Sequence, residues 1–261
     1  MHLFDTHAHL DAEEFDTDRA EVFSRAAAAR VSNIVAIGTT AAISARCVEL
    51  AAQYAGVFAA VGIQPNYVHE AAPGDWDRIV ELAKRPGVVA LGETGLDRYW
   101  DHAPFDLQQD YFDRHLRLSQ SIGLPFVVHM RDCEADILAM LREARSRGPL
   151  RGLMHSFTGS TEMAIECLAM GLYISFAGMV TYKKSGDLRA TAATIPADRI
   201  LIETDSPYLS PEPVRKIRRN EPAHVIHTAR CLADARDETL EQFAAQTTQN
   251  AQRLFRSGGT P

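Results

Sequence analysis

The chain has 261 residues, of which 46% are hydrophobic and 23% are charged, and this composition is typical of a soluble globular protein. Its net charge of −7, from 27 basic and 34 acidic residues, argues against a broad basic surface that coats nucleic acid, but it leaves room for a small basic cleft. The length suits one (β/α)₈ barrel better than two small domains. The four cysteines show no CxxC spacing, which argues against the common zinc and redox motifs.

The start of the chain shows no basic or apolar targeting segment, because the charged Asp5 follows almost at once. No apolar run approaches the ~18 residues that span a membrane. We therefore expect a cytoplasmic protein without membrane association, and the sequence indicates no obligate protein partner. We expect a single domain over residues 1–256 and a flexible tail over residues 257–261.

Short apolar runs alternate with longer helix-like segments along the chain. Eight runs are predicted to be strands: Leu3–His7, Asn33–Gly38, Val57–Gly62, Val88–Gly92, Pro125–His129, Gly152–His155, Leu172–Phe176 and Arg199–Glu203. Helices are predicted between or after them: Arg19–Ala29, Ala42–Tyr54, Trp76–Lys84, Phe105–Ile122, Cys133–Arg145, Thr161–Met170, Leu188–Ala193 and His224–Ala233. This alternation implies parallel strands joined by crossovers, and eight such units predict an α/β fold, the (β/α)₈ TIM barrel. No GxGxxG or GxxxxGK[ST] motif favours an open nucleotide-binding sheet.

Six side chains that can bind a metal lie at the ends of predicted strands or directly after them. They are His7, His9, Glu93, His129, His155 and Asp205. Barrel enzymes have their active sites where the carboxyl ends of the strands meet, so we expect these side chains to converge. Mixed imidazoles and carboxylates suit Zn²⁺, Mn²⁺ or Mg²⁺, and six ligands exceed what one tetrahedral ion needs. We therefore predict two divalent metal ions.

Each candidate ligand also has a simpler interpretation. His7 and His9 point to the same side of an extended segment, together with Asp5, but two polar residues in a turn would show the same spacing. Glu93 closes an apolar run, where a carboxylate must pair, bind a metal or take part in chemistry. It can bridge two cations, or it can form an ion pair with Arg98.

His129, His155 and Asp205 can be interpreted in more than one way as well. Taken singly, each histidine is typical of a hydrogen-bonded core residue. Asp205 can bind a metal and accept a proton from its bound water, with Glu203 on the same face as a partner that orients a histidine. Asp205 can instead be a helix N-cap, because Asp-Ser-Pro is typical of a helix start. We expect Asp205 and Glu93 to be the catalytic carboxylates.

Six motifs, in order along nearly the whole chain, resemble those of the TatD family of metal-dependent deoxyribonucleases. They are FDTHAHLD at 4–11, GETGLD at 92–97, VHMRD at 128–132, HSFTG at 155–159, ETDSP at 203–207 and RNEP at 219–222. The resemblance implies a TIM barrel of the amidohydrolase type, two or more divalent metals, and exonuclease-like cleavage of DNA from a strand end. By the family pattern, one metal is held by His7, His9, Glu93 and Asp205. The other is held by Glu93, His129 and His155.

The chain departs from the family after the third strand. The family often has Gly-x-His-Pro-His there, whereas this chain has Gly-Ile-Gln-Pro-Asn at 62–66. Gln64 and Asn66 can hydrogen-bond a phosphate or a water, but they cannot replace imidazoles as metal ligands or cations. We expect them to contact the substrate. The departure affects a third metal or the grip on the substrate, and it leaves the two-metal core intact.

Basic residues follow predicted strands four, five, seven and eight, which places them around the same face. They are Arg98, Arg131, Lys183, Lys184, Arg215, Lys216, Arg218 and Arg219. Arg131 lies two residues after His129, so we expect it to contact a phosphate, and Arg98 is a second expected substrate contact. For each of the others taken singly, a solvated loop residue is the better interpretation.

These observations predict a metal-dependent exonuclease that acts 3′ to 5′ on single-stranded or frayed DNA ends. A small-molecule hydrolase on the same barrel, acting on an amide, a lactone or a phosphotriester, is a competing interpretation. Many such enzymes bridge their metals with a modified lysine after strand four, where this chain has Glu93, and this difference favours the nuclease. A hydrolase of aminoacyl-tRNA esters and a binding protein that retains only the barrel also remain open.

Overall fold

Eight parallel strands form one sheet, in chain order, in a computed structural model that describes residues 1–256. The expected flexible tail at 257–261 lies outside the described residues. The strands are β1 (Leu3–Ala8), β2 (Val31–Ile37), β3 (Val57–Val61), β4 (Val88–Asp97), β5 (Phe126–Arg131), β6 (Gly152–Met154), β7 (Tyr173–Phe176) and β8 (Ile200–Ile202). A parallel bridge between Ala8 and Ser206 joins β1 to the segment after β8, so the sheet curls into a nearly closed barrel. The predicted TIM barrel is confirmed.

Helices follow the strands around the outside of the barrel. They are α1 (Arg19–Ala28), α2 (Ala41–Gln53), α3 (Asp75–Leu82), α4 (Phe105–Ile122), α5 (Glu134–Arg147), α6 (Thr161–Ala169), α7 (Gly186–Thr194), α8 (Val225–Ala235) and α9 (Leu240–Arg256). The first eight match the predicted helices closely. The ninth was not predicted, because no strand precedes it to mark another unit of the repeat. Within residues 1–256, no helix is both long enough and apolar enough to cross a bilayer.

The barrel interior is filled by apolar side chains from all eight strands, such as Phe4 on β1 and Leu201 on β8. The end of α9 packs into the same cluster, where the Phe255 ring lies 5.8 Å from the ring of Phe4. Asn250 of α9 also donates a hydrogen bond to the carbonyl oxygen of Ile200 (2.9 Å). These contacts lie near the starts of β1 and β8, so α9 covers that end of the barrel. The opposite end, where the strands finish, is left for the polar residues described next.

Candidate metal centre

Closure of the barrel brings together the candidate ligands from its first and last strands. The backbone N–H of Asp205 donates to the carbonyl of His7 (2.9 Å), and the N–H of His9 donates to the carbonyl of Ser206 (2.8 Å). The Nε2 atoms of His7 and His9 lie 3.3 Å apart. The Oδ1 atom of Asp205 is 3.6 Å from the first of them and 3.4 Å from the second. Asp205 has a positive φ of 55° and starts a turn rather than a helix, so the N-cap interpretation is wrong.

Glu93 stands between two pairs of histidines. Its Oε1 atom lies 2.8 Å from His129 Nδ1 and 3.1 Å from His155 Nε2. Its Oε2 atom lies 3.6 Å from His7 Nε2 and 3.8 Å from His9 Nε2. The side chain is almost fully buried, and each carboxylate oxygen therefore faces a separate set of donors.

Two glycines on β4 allow Glu93 to reach this place. β4 continues to Asp97 rather than ending at Gly92 as expected. Gly92 and Gly95 have φ values of 129° and 134°, which side chains rarely adopt. A Cβ atom on Gly95 would also collide with the carbonyl oxygen of His129. Glycine at these positions therefore lets β4 lie close to β5 while its carboxylates point into the site.

Asp97 is a functional candidate that the sequence reasoning missed. Its Oδ2 atom lies 2.8 Å from His129 Nε2 and accepts a hydrogen bond from the Asn66 amide (3.0 Å). Burial tends to raise the pKa of Asp97, but hydrogen bonds, chiefly the one from His129, lower it to about 2. The signal was present, because Asp97 is four residues after Glu93 and shares its face if the strand continues. The expected end of the strand at Gly92 hid it.

Glu203 and Asp5 are fully buried, and both make hydrogen bonds that hold residues of the site in place. Glu203 Oε1 lies 3.1 Å from His155 Nδ1 and accepts the N–H of Ser156 (2.6 Å). Asp5 accepts hydrogen bonds from the backbone N–H and the hydroxyl group of Thr204 (2.9 and 2.6 Å). Burial raises the pKa of Asp5 to about 8. Asp5 therefore joins β1 to the end of β8 as a largely protonated acid at neutral pH.

The charges of the centre favour anionic carboxylates. Burial alone would raise the pKa of Glu93, but the surrounding histidines hold it well below its usual range. The pKa of Asp205 is also lowered, because the nearby histidines outweigh the effect of burial. Burial lowers the pKa of His7, so its imidazole is neutral and can offer a lone pair. Burial tends to lower the pKa of His9, His129 and His155 as well, but the neighbouring carboxylates raise it. These three histidines would therefore lose a proton when a metal binds.

The donor spacing fits divalent ions. Ligands that surround a tetrahedral zinc ion at about 2.0–2.1 Å are about 3.3 Å from each other. The nitrogen and oxygen atoms of His7, His9, Glu93 and Asp205 are separated by 3.3–3.8 Å in the pairs given above. His7, Glu93 and His155 form a second compact group of donors. These two groups share His7, and each can hold a metal ion.

Three of the expected substrate contacts, Gln64, Asn66 and Arg98, already form hydrogen bonds or ion pairs within the protein. The Oε1 atom of Gln64 accepts the backbone N–H of Asn66 (2.8 Å), and the amide of Asn66 is engaged by Asp97. Arg98 is paired with Asp136 (2.8 Å) and not with Glu93, which excludes the ion-pair interpretation of Glu93. The substrate roles of Gln64, Asn66 and Arg98 stay predictions.

Arg131 differs from Arg98 in having no acidic partner within residues 1–256. Its guanidinium group lies 3.6 Å from the centroid of the Tyr99 ring, and the residue is exposed at the end of β5, two residues after His129. A cation in this position is available to an anionic ligand, and its substrate role also stays a prediction.

The chain is similar to proteins of one family over nearly its whole length. Residues 4–256 match the family model described as TatD related DNase. The chain is 42% identical over 254 residues to the uncharacterized metal-dependent hydrolase YabD of Bacillus subtilis, covering 97% of this chain and 99% of that protein. It is 37% identical to the 3′-5′ ssDNA/RNA exonuclease TatD of Citrobacter koseri, covering 97% of this chain and 98% of the relative. The crystal structure of YJJV, a TatD homologue from Escherichia coli K12, superposes with a TM-score of 0.90 at 29% identity and covers 99% of this chain and 98% of its own.

Proposed function

Because the chain belongs to the TatD-related DNase family of metal-dependent hydrolases, we propose that it is a two-metal exonuclease that removes nucleotides from the 3′ end of single-stranded or frayed DNA. Relatives named 3′-5′ ssDNA/RNA exonuclease, at 37% identity, support this substrate class and polarity. Relatives at 42% and 38% identity are named only as metal-dependent hydrolases, so the substrate is the part that an experiment must test.

The observation that carries the proposal is the position of Glu93 between two donor sets. One carboxylate oxygen faces His129 and His155, and the other faces His7 and His9. A carboxylate shared in this way can bridge two ions, and two-metal sites commonly cleave phosphate esters. Glutamate at this position also departs from the modified lysine expected of small-molecule hydrolases.

We assign one ion to His7, His9, Glu93 and Asp205, and a second ion to Glu93, His129 and His155. When bound, two divalent ions supply positive charge to the scissile phosphate and acidify a water molecule.

The side chains around the ions have separate tasks. Asp205 accepts a proton from the attacking water, since its low pKa keeps it anionic at neutral pH. Asp97 keeps Nε2 of His129 protonated, and Glu203 does the same for Nδ1 of His155. Each histidine is thus fixed in the tautomer whose other nitrogen faces Glu93. Arg131 donates to the phosphate oxygens, with the shape and charge that suit such a contact.

The proposal is tested by following DNA shortening. The purified protein is stripped with a chelator, reloaded with Mg²⁺, Mn²⁺ or Zn²⁺, and incubated with 5′-labelled single-stranded, frayed and blunt DNA. We expect a ladder of fragments shortened from the 3′ end, fastest on the single strand. Asp205→Asn should lose about 10²- to 10⁴-fold in rate.

The matched control is Asp237→Asn, which makes the same change at an exposed aspartate with the same positive φ of 55°. Its rate should equal that of the unmodified protein. RNA, an aminoacyl-tRNA and a lactone are run in parallel. Intact DNA and RNA ends in the presence of loaded, folded protein would refute the nuclease. If the protein instead hydrolyses the tRNA ester or the lactone under the same conditions, the proposed function becomes that of an ester hydrolase.

A further inference from the structure

We infer that Tyr99, Trp100 and Arg131 form a platform on which bases of the single-stranded substrate stack beside the metal centre. We call these three residues the stacking platform. The inference rests on the proposed nuclease function, and it adds a binding subsite and the means by which an acidic protein holds a polyanion.

The first observation is where the exposed aromatic side chains lie. Within residues 1–256, every tyrosine, tryptophan or phenylalanine that is strongly exposed follows the end of a barrel strand. These residues are Tyr67, Tyr99, Trp100 and Tyr208, with exposed fractions of 39–55%. The large exposed aliphatic residues on helices, Ile122 and Ile165, lie elsewhere on the barrel surface. Exposed aromatic rings concentrated at a single face mark a binding surface.

The second observation is the arrangement of the platform. The Arg131 guanidinium group lies 3.6 Å from the Tyr99 ring centroid and 5.6 Å from that of Trp100. The Trp100 ring is stacked on His102, with centroids 5.3 Å apart and planes within 11°. Arg131 has no acidic partner in the described chain, so its charge remains available. Arg131 thus covers one face of the Tyr99 ring, and His102 covers one face of the Trp100 ring. A base can stack on the opposite face of Trp100 while its phosphate meets the charge of Arg131.

The third observation is a direct link between the platform and the metal centre. The backbone N–H groups of Tyr99 and Trp100 both donate to Asp97 Oδ1, at 2.9 and 3.0 Å. The other oxygen of the same carboxylate lies 2.8 Å from His129 Nε2. One carboxylate therefore fixes both the loop that carries the rings and a histidine that faces Glu93. The phosphate of a nucleotide whose base stacks on this loop would therefore lie at a fixed position relative to the metal ligands.

The charge of the protein explains why such a platform is needed. With a net charge of −7, the molecule as a whole repels nucleic acid, so binding by general attraction is weak. Stacking does not depend on net charge, and one base on one aromatic side chain is worth about 5- to 150-fold in affinity. It is also indifferent to base identity, which suits an enzyme that shortens any sequence.

The test measures oligonucleotide binding without cleavage. In the otherwise unmodified, metal-loaded protein, the affinity for a fluorescent ten-residue oligothymidylate with cleavage-resistant phosphorothioate linkages is measured for Trp100→Ala, Trp100→Phe and Ile165→Ala. We expect Trp100→Ala to weaken binding at least fivefold. Trp100→Phe should restore most of it, because a phenyl ring still stacks, and the exposed Ile165→Ala on α6 should have no effect.

The intrinsic fluorescence of the protein gives a second readout. The chain has only two tryptophans, and Trp76 packs against His115 on the outer helices. Stacking of a base on Trp100 should therefore quench the emission, and Trp100→Phe should abolish the quenching while the oligonucleotide still binds. Quenching that survives in Trp100→Phe would contradict the platform.

Activity separates failure of the platform from failure of the proposed function. In the otherwise unmodified enzyme, Trp100→Ala should lower the ratio of kcat/KM on the oligonucleotide to kcat/KM on bis(p-nitrophenyl) phosphate at least fivefold. If the unmodified enzyme cleaves DNA but Trp100→Ala leaves this ratio and the affinity within twofold, the platform is wrong and the nuclease stands. If the unmodified enzyme cleaves no nucleic acid, the proposed function is wrong and the platform falls with it.

Discussion

The mouth of the barrel has two regions that hold their polar side chains in different ways. We call the six candidate ligands the floor: His7, His9, Glu93, His129, His155 and Asp205. We call the loop residues around them the rim: Tyr99, Trp100, Arg131 and Tyr208. Glu93 on the floor is 3% exposed, whereas Tyr99 on the rim is 54% exposed.

This difference separates two tasks. The floor side chains are attached to strand ends and fixed by buried hydrogen bonds, so the centre is organised before any substrate arrives. The rim side chains lie on loops, where exposed groups can meet a partner. Substitutions on the floor should therefore abolish chemistry, and substitutions on the rim should change which substrates are used.

The largest effect is expected from Glu93→Gln on the floor. The amide keeps the size of the side chain, but it is neutral and only one of its two ends is an oxygen, so it cannot bridge two ions. We expect the rate of DNA cleavage to fall on the order of 10³-fold or more. The metal content of the protein, measured by mass spectrometry, should fall as well. Glu166→Gln on α6, which breaks the ion pair with Arg142, is the control and should keep full activity. More than a tenth of the activity left in Glu93→Gln would contradict a bridging role.

An intermediate effect is expected from Asp97→Asn, which lies where floor and rim meet. The single amide oxygen of asparagine cannot accept both from His129 and from the N–H groups of Tyr99 and Trp100. Loss of such a partner commonly costs about 10- to 100-fold in metal affinity or activity. The measurement is activity as a function of added Mn²⁺, in which the half-saturating concentration should rise. Asp136→Asn breaks only the ion pair with Arg98 and should leave the curve in place. Equal curves for the two variants would remove Asp97 from the site.

A smaller effect is expected from Arg131→Ala on the rim. Loss of one phosphate contact should raise KM for an oligonucleotide several-fold and leave kcat nearly unchanged. The slope of log KM against log salt concentration should fall by about 0.7, the value for one phosphate on a single strand. Arg98→Ala is the matched comparison, because Arg98 is already paired with Asp136. If Arg98→Ala changes KM and the slope as much as Arg131→Ala does, both arginines contact the substrate.

The smallest effect on turnover is expected from Asp5→Asn, which instead changes how stability depends on pH. Burial raises the pKa of Asp5 from 3.8 to about 8. The stability that depends on its protonated form is complete below about pH 4 and is lost as the pH rises to 8. Asparagine cannot ionise. The free energy of unfolding of Asp5→Asn, relative to that of the unmodified protein, should therefore increase between pH 4 and 8. One pKa unit corresponds to about 1.4 kcal/mol, and a gain of at least about 1 kcal/mol is expected in urea unfolding with chelator present. A constant difference between pH 4 and 8 would contradict a buried, protonated Asp5.

The floor could largely be predicted from the sequence, because strand ends are marked by apolar runs that stop at a polar residue. His129 and His155 each close such a run, and the barrel repeat then requires those ends to meet at one face. The same logic failed for Asp97. Gly92 ends the apolar run, but the chain continues as a strand through two glycines with positive φ, a conformation that composition does not reveal.

The pairing of polar side chains on the surrounding loops could not be predicted in the same way, because it depends on how loops from distant parts of the chain meet. Arg98 finds Asp136, 38 residues later, and no local pattern indicates that pairing. The amide of Asn66 turns to Asp97 rather than outward for the same reason. The ninth helix was missed because it covers the other end of the barrel and lies outside the strand–helix repeat.

The most direct test is a crystal of the protein soaked with Mn²⁺ and measured for anomalous scattering. The shared position of Glu93 predicts two peaks, one on each side of its carboxylate group. One should contact His7, His9 and Asp205, and the other should contact His129 and His155. A single peak, or two peaks of which neither touches Glu93, would contradict the two-metal centre.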